Sequence, residues 1–207
     1  MATLFDSVVT EGSIWKGAAR LLYADDGTSF PGELESVINP STYALADGWN
    51  DVGGTTEDGV TITREFEGSD GIAVDQLAYP VFEGDPTRWM MSLGSALLET
   101  DPDNLAIVFE LPAATDVSGS SVEQKKLVFN APTTLTERMV AAVQQHPENE
   151  NLRVFVFRQA SPTPEAREMV LSKSEGSAVP ITFDCSADPA VADADGPFGA
   201  LYRENAS

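Results

Sequence analysis

The feature that most constrains the fold is a run of alternating apolar and polar residues within residues 48–81. Residues 60–67, VTITREFE, place mostly apolar side chains at every second position, a period of two that is typical of a strand with one face in water. A turn-forming segment, GSDG at 68–71, follows, and the alternation resumes in IAVD at 72–75. The pattern therefore predicts a β-hairpin.

The two faces of this hairpin differ in chemistry. If the apolar positions Val60, Ile62, Phe66, Ile72 and Val74 face the core, strand alternation puts their neighbours on the opposite, wet face. That face is small or acidic, and residues 48–81 hold seven acids against one base, Arg64. The predicted wet-face residues are Thr61, Thr63, Glu65, Glu67, Ala73 and Asp75.

The charge balance excludes two classes of partner. The chain has 12 Lys and Arg against 33 Asp and Glu, a formal net charge of −21. Proteins that grip nucleic acids neutralise phosphates with basic residues, and anionic membranes attract basic segments. Residues 125–173 are the mildly basic exception, with seven bases and five acids. We therefore predict no specific DNA binding and no membrane association.

Catalytic, cofactor and metal sites have little support in the sequence. His146 is the only histidine and lies in a polar turn, which predicts an exposed loop residue. Cys185 is the only cysteine and predicts a small core residue rather than a disulfide or metal ligand. Residues 193–196, DADG, lack the later glutamate that closes a calcium loop. No phosphate-binding glycine motif is present. We predict a protein without catalytic residues or cofactor.

The remaining chain predicts one mainly β domain over residues 1–207, with an N-terminal arm at 1–13 and an acidic C-terminal extension at 186–207. Prolines make residues 30–43 an extended connector. Within the extension only residues 198–202 have the apolar content to pack. Further strands are predicted at 14–23, 105–111, 126–129, 152–157, 167–173 and 178–184.

One helix is predicted, at residues 87–98. Asp85 followed by Pro86 is a good helix start, and apolar residues follow at helical spacing. Residues 135–145 are ambiguous because their composition favours a helix, whereas their place between strands favours a strand, which we prefer.

Several segments together resemble the major tail proteins, or tail tube proteins, of long-tailed bacteriophages of the siphovirus type. They are the Gly48-Trp49 entry, DGVTITREFE at 58–67, IAVDQ at 72–76, VFVFRQA at 154–160 and VPITFDCSADP at 179–189. The resemblance spans roughly residues 15 to 200. It implies a tail tube-like β-sandwich or barrel with one flanking α-helix, an extended loop and terminal arms.

The resemblance also implies a function. Copies would stack as hexameric rings into the channel that delivers the genome, and DNA would pass without specific binding. The wet-face residues would line the lumen. Lys125, Lys126, Arg153 and Arg158 would meet acids of another copy. Other partners would be the tail terminator, tape measure and baseplate proteins, in a virion tail assembled in the host cytoplasm.

Two alternatives remain at this point. One is the inner tube of a contractile tail or of a type VI-like system, which has related rings. The other is an acidic carbohydrate-binding or hydrolytic β-sandwich, in which Glu65 and Glu67 would supply paired carboxylates. A solvated acidic face is the simpler explanation of those two residues, because strand spacing alone specifies no site.

Overall fold

The computed structural model describes residues 19–68, 86–98, 101–119, 122–131, 136–147, 150–163 and 178–204. Over these residues the protein is mainly β, as predicted. The strands are β1 (Ala19–Ala24), β2 (Trp49–Asp51), β3 (Thr55–Gly68), β4 (Pro86–Leu97), β5 (Thr115–Asp116), β6 (Lys125–Lys126), β7 (Arg138–Gln145), β8 (Leu152–Pro162), β9 (Val179–Ser186) and β10 (Gly199–Arg203). The α-helix α1 is Pro102–Val108, and 3-10 turns occur at Leu34–Ser36 and Asp193–Asp195.

Eight strands form a single curled, half-barrel sheet in the order β2-β1-β7-β8-β9-β4-β3. The eighth, β10, pairs with β8 beside residues 153–157, and β9 continues along the same edge of β8 from residue 159 to residue 162. All of these pairings are antiparallel. β5 and β6 form a separate two-stranded ribbon.

The centre of the sheet is buried on both faces. Leu21 belongs to one apolar cluster and its neighbour Leu22 to another, because successive residues of a strand point to opposite faces. The first cluster fills the curl of the sheet and includes Phe183 and, from α1, Val108. The second lies on the other side and includes Trp49.

The connector at 30–43 covers the second cluster. Leu34, Val37 and Ile38 are buried there, and the only bridge in the segment pairs Ile38 with Leu45. The connector is therefore held by its own chain, because its apolar side chains supply one wall of the core.

β8 contains a bulge, which separates a part of the strand that is buried on both faces from a part that is buried on one face. Val140 pairs with Phe157, but Arg138 pairs with Ala160, so β8 carries one extra residue. Residues three apart on a regular strand point to opposite faces, but the extra residue of the bulge lets Phe157 and Ala160 face the same cluster. Beyond it, the face of β8 that carries Ser161 is no longer covered by the second cluster.

The predicted helix at 87–98 is wrong, since residues 87–97 belong to β4. β4 pairs with β3 on one side and β9 on the other. The spacing of four between Trp89, Leu93 and Leu97 fits one face of a strand as well as a helix. Pairing on both edges decides between the two, because tertiary contacts override weak local propensity.

The helix lies instead at Pro102–Val108, where a strand was predicted over 105–111. Asp101 caps it, its side chain accepting a hydrogen bond of 2.8 Å from the Asn104 N–H. Pro102 occupies the first turn, where its missing N–H costs nothing. The Asp101-Pro102 pair therefore marks a helix start, whereas β4 begins at Pro86.

The other predictions fared better. Residues 138–145 form β7, and the strands at 152–157 and 178–184 are confirmed within β8 and β9. The strand at 14–23 is confirmed from Ala19 onward, whereas only Lys125–Lys126 forms a strand near 126–129. Residues 198–202 do pack, as most of β10. The predicted arm at 1–13 and the strands at 72–75 and 167–173 lie outside the described residues.

His146 is buried, contrary to its predicted exposure, with 2% of its surface accessible. It follows β7 directly, and its backbone N–H donates to the Asn151 carbonyl. The Glu150 N–H in turn donates to the His146 carbonyl. These two bonds hold His146 between β7 and the start of β8.

Candidate functional site

The candidate site is the wet face of the sheet formed by β3, β4 and β9. Residues that are directly paired across antiparallel strands point to the same face. Thr63 pairs with Ser92, which pairs with Asp184, and Thr61 pairs with Gly94, which pairs with Thr182. The face thus continues from strand to strand as rows of small polar residues. We call this surface the polar face.

The burial pattern shows which side of the sheet this face occupies. On β9 the residues Val179, Ile181, Phe183 and Cys185 are buried, and the residues between them are exposed or half-buried. On β4, Leu93 and Leu97 are buried, whereas Ser92 and Gly94 are half-buried. The polar face is therefore the side directed away from the first core cluster.

The charges of the polar face are mostly negative. Glu65 and Glu67 on β3 and Asp184 on β9 are exposed acids. Arg88, which pairs with Glu67 across the β3–β4 ladder, is the one base among the described residues of these three strands on this face. Between them lie the small residues Ser92 and Gly94 and, opposite Glu65, the larger Met90.

The structure brings together four of the six predicted wet-face residues. Thr61, Glu65 and Glu67 are exposed, and Thr63 is half-buried. Ala73 and Asp75 lie outside the described residues. Among the described strands, the partner of β3 in the hairpin is β4 rather than a strand at 72–75.

The sequence interpretation missed the contribution of β4 and β9 to this face. Only residues 91–94, MSLG, alternate between bulky and small side chains, and the spacing of four between Trp89, Leu93 and Leu97 is equally typical of a helix. Residues 179–186 were recognised as a strand, yet nothing in one sequence shows that Asp184 and Glu65 share a face. That placement depends on the strand order β9-β4-β3.

The far end of the β3–β4 ribbon departs from the predicted pattern. Phe66 was expected in the core, but 57% of its surface is exposed. It contacts Trp89, with the ring centroids 5.3 Å apart, and the Arg64 guanidinium lies 4.1 Å from the Trp89 ring centroid. Phe66 lies outside the core because the β3–β4 ribbon is longer than its contact with β9. β9 pairs with β4 only from Met91 onward, and the core ends there.

A family model described as "Phage tail tube protein" matches residues 10–194. The chain belongs to the phage tail tube protein family. No curated protein matches the chain in a sequence search. Family membership makes this protein a structural, self-assembling component of the virion tail.

Within this tail tube domain, the four basic residues predicted at subunit contacts lie in different settings. Lys125 binds Asp103 of α1, and this contact raises the pKa of the Lys125 ammonium. Lys126 is exposed and has no ion-pair partner among the residues described. Their role between subunits remains a prediction.

The two arginines are used within their own chain. Arg153 Nε donates to Gln144 Oε1 at 2.8 Å, and burial, together with Arg203, lowers the pKa of its guanidinium. The Arg158 guanidinium lies 3.6 Å from the Phe30 ring centroid, and its Nε donates to the Gly196 carbonyl. The Arg153 side chain therefore joins β8 to β7, and the Arg158 side chain fastens the C-terminal segment and the connector to β8.

Reactive groups are few in the described part of this tail tube protein. No cluster of three metal-binding side chains occurs among the described residues. Cys185 is buried in the first core cluster, as predicted, and burial followed by the charge of Asp184 raises the pKa of its thiol to about 12. No helix among the described residues has the length and apolarity to cross a membrane.

Proposed function

We propose that this protein assembles into stacked hexameric rings and that the polar face lines the channel through which the phage genome passes. The observation that carries the proposal is the division of β9, and of β4 where it pairs with β9, into two faces. One face is buried in a single core, and the other is small, polar and acidic across three neighbouring strands. Such a surface suits a lumen that must remain wet and must not bind what moves through it.

The sign of the charge matters for transport. Duplex DNA carries one negative charge per roughly 1.7 Å of axis, and basic surfaces hold it by releasing counterions. The acids Glu65, Glu67 and Asp184 repel phosphates instead. Repeated around a ring and along a stack, they keep DNA centred and mobile. Ala73 and Asp75 belong to the same proposed lining.

The sheet edges support closure into a ring. β3 is the last strand at one edge, and within the described residues it pairs with β4 alone. The short strand β2 forms the other edge. An exposed edge offers backbone groups to a strand of another molecule. Pairing between different edges is heterologous and generates closed rings when the rotation is suitable.

The proposed setting is a tail assembled in the host cytoplasm. There the tube would contact the tail terminator, the tape measure and the baseplate proteins, and the basic residues Lys125, Lys126, Arg153 and Arg158 would contribute to contacts with acids of other copies. The proposed role is structural, and it involves neither catalysis nor a cofactor.

Electron cryo-microscopy of the purified protein at high concentration tests the proposal. We expect rings or tubes of six subunits per turn with Glu65 and Glu67 directed into the lumen. A polymer with these carboxylates on its outer surface would refute the assignment of the lumen, and a monomer whose melting temperature rises with added sugar would favour the carbohydrate-binding alternative.

Charge reversal tests function directly. The double variant Glu65→Lys and Glu67→Lys should fold normally, because both side chains are exposed, yet slow DNA passage in assembled particles. The matched control is Glu33→Lys with Glu35→Lys, which reverses two exposed acids at the same spacing on the connector. Equal ejection rates for the two double variants would count against an acidic lumen.

A further inference from the structure

The end of the β3–β4 ribbon carries an exposed surface in the described part of the chain. Arg64, Phe66 and Trp89 lie on one face of the ribbon, since Phe66 pairs directly with Trp89 and Arg64 is two residues away on the same strand. Phe66 is 57% and Trp89 40% exposed. We call these three residues the ribbon end. An open groove of about 510 Å³ lies beside Trp89, and Met91 and Phe198 contribute to its walls.

The chemistry of the ribbon end is that of an interaction surface. Trp and Arg are the residues most enriched where binding energy concentrates, and a guanidinium over an indole keeps its charge available at the rim. Arg64 forms no ion pair with any described residue. Glu65 and Glu67 alternate with these side chains, so they belong to the opposite face. Because the chain has a net charge of −21, most surfaces of another copy are acidic, and an acidic surface would attract the Arg64 cation.

An acidic surface lies where β1 ends and β2 begins, far from the ribbon end. Asp25, Asp26 and Asp47 are exposed, and a hydrogen bond from the Asp25 N–H to the Gly48 carbonyl joins the two turns that carry them. No lysine or arginine among the described residues pairs with these aspartates. We call this surface the acidic corner.

The two surfaces are too far apart to meet within one chain. β2 starts at the acidic corner and runs antiparallel to β1. The bond from Thr55 Oγ1 to the Ala19 carbonyl places the start of β3 beside the start of β1, and the antiparallel pairings along the sheet give β3 the same sense as β2. β3 alone has 14 residues, which span about 40 Å at roughly 3.3 Å per residue. The ribbon end lies at the C-terminal end of β3. Complementary surfaces at opposite ends favour a heterologous contact between copies.

We propose that the ribbon end of one copy docks on the acidic corner of the next, with Arg64 reaching the aspartates and the rings of Phe66 and Trp89 covered by the contact. This contact rests on the proposed assembly and names two of the surfaces that form it. Electrostatic complementarity sets the pairing and orientation of such contacts. The attraction between Arg64 and the three aspartates therefore determines that a ribbon end meets an acidic corner.

Complementary charge reversals test the contact. Arg64→Glu should raise the concentration needed for assembly about tenfold or more, and so should Asp26→Lys with Asp47→Lys, because each juxtaposes like charges. An equimolar mixture of the two variants should assemble again, since every ribbon end then meets a corner of opposite charge. Sedimentation velocity and negative-stain microscopy measure the assembly, and circular dichroism establishes that each variant is folded. Asp193→Lys, an exposed acid outside the corner, is the control and should assemble normally.

The possible outcomes separate this inference from the function. If the wild-type protein forms rings or tubes and Arg64→Glu does so at the same concentration, the contact is wrong and the tube assignment stands. If the two variants fail singly and also in the mixture, the pairing of these two surfaces is refuted. If the wild-type protein stays monomeric at every concentration, the proposed function itself fails.

Discussion

Glu110 and Arg138 form a buried pair, with Arg138 Nη2 lying 3.9 Å from Glu110 Oε1 and with only 18% and 6% of the Arg138 and Glu110 side chains exposed. Glu110 Oε2 also accepts a hydrogen bond of 3.1 Å from the Thr136 N–H. The Arg138 guanidinium lies 5.7 Å from the Tyr23 ring centroid. The pair therefore ties the segment after α1 to β7 and β1.

We expect Arg138→Met to lower the free energy of unfolding by about 3 kcal/mol, because it leaves the Glu110 carboxylate buried without its cation. Adding Glu110→Gln should recover part of this loss, since the second change removes the stranded charge. Urea unfolding followed by tryptophan fluorescence measures both. A loss below about 1 kcal/mol for the single variant would show that the pair contributes no more than an exposed ion pair.

Asp101 provides a second test, at the helix that the sequence failed to reveal. Asp101→Ala should destabilise the protein by about 1 kcal/mol, because the Asn104 N–H at the start of α1 loses its acceptor. Asp101→Asn keeps an acceptor and should cost much less. Amide hydrogen exchange at Asn104 reports the local effect, and equal exchange in the two variants would argue against capping.

The contrast between Asp101 and Asp85 shows where sequence reasoning reaches its limit. Both precede a proline, a pair typical of helix starts, yet we expected a helix only after Asp85. β4 follows Asp85 because strands pair with those residues on both edges. Local alternation predicted β3 and β9 well, since their period of two is strong. The assembly of the polar face from three strands, and the exposure of Phe66, depend on strand order and on where the core ends, which no local pattern encodes.

Gly199 should be essential for seating β10. It has φ of 151°, and a Cβ at this position would lie 1.9 Å from the Val156 carbonyl oxygen. Gly199→Ala should therefore lower the free energy of unfolding by more than about 1 kcal/mol. Gly32→Ala is the matched control, because a Cβ there meets nothing within 4 Å. Similar urea midpoints for the two variants would contradict the close packing of β10 on β8.

Cys185 should make the protein sensitive to alkaline pH. Its thiol pKa rises from 9.0 to about 12 through burial, with a further contribution from Asp184. The unfolded chain releases this proton first, so the stability from the thiol is complete below pH 9 and falls as the pH rises towards 12. The slope should approach about 1.4 kcal/mol per pH unit for this one proton. Cys185→Ala should show a correspondingly shallower slope in urea titrations between pH 9 and 11, and parallel slopes would refute the assignment.

Lys125 and Lys126 are adjacent on β6 but should respond differently to charge reversal. Lys125 binds Asp103, so Lys125→Glu should loosen the β5–β6 ribbon from α1 even in the monomer, as hydrogen exchange across Lys125–Lys126 would show. Lys126 has no such partner in the described part of the chain. Lys126→Glu should therefore leave thermal unfolding unchanged and weaken polymerisation, because it removes a cation that an acidic neighbour would attract. Polymerisation that is unaffected by reversing both lysines together would remove β6 from the contact between copies.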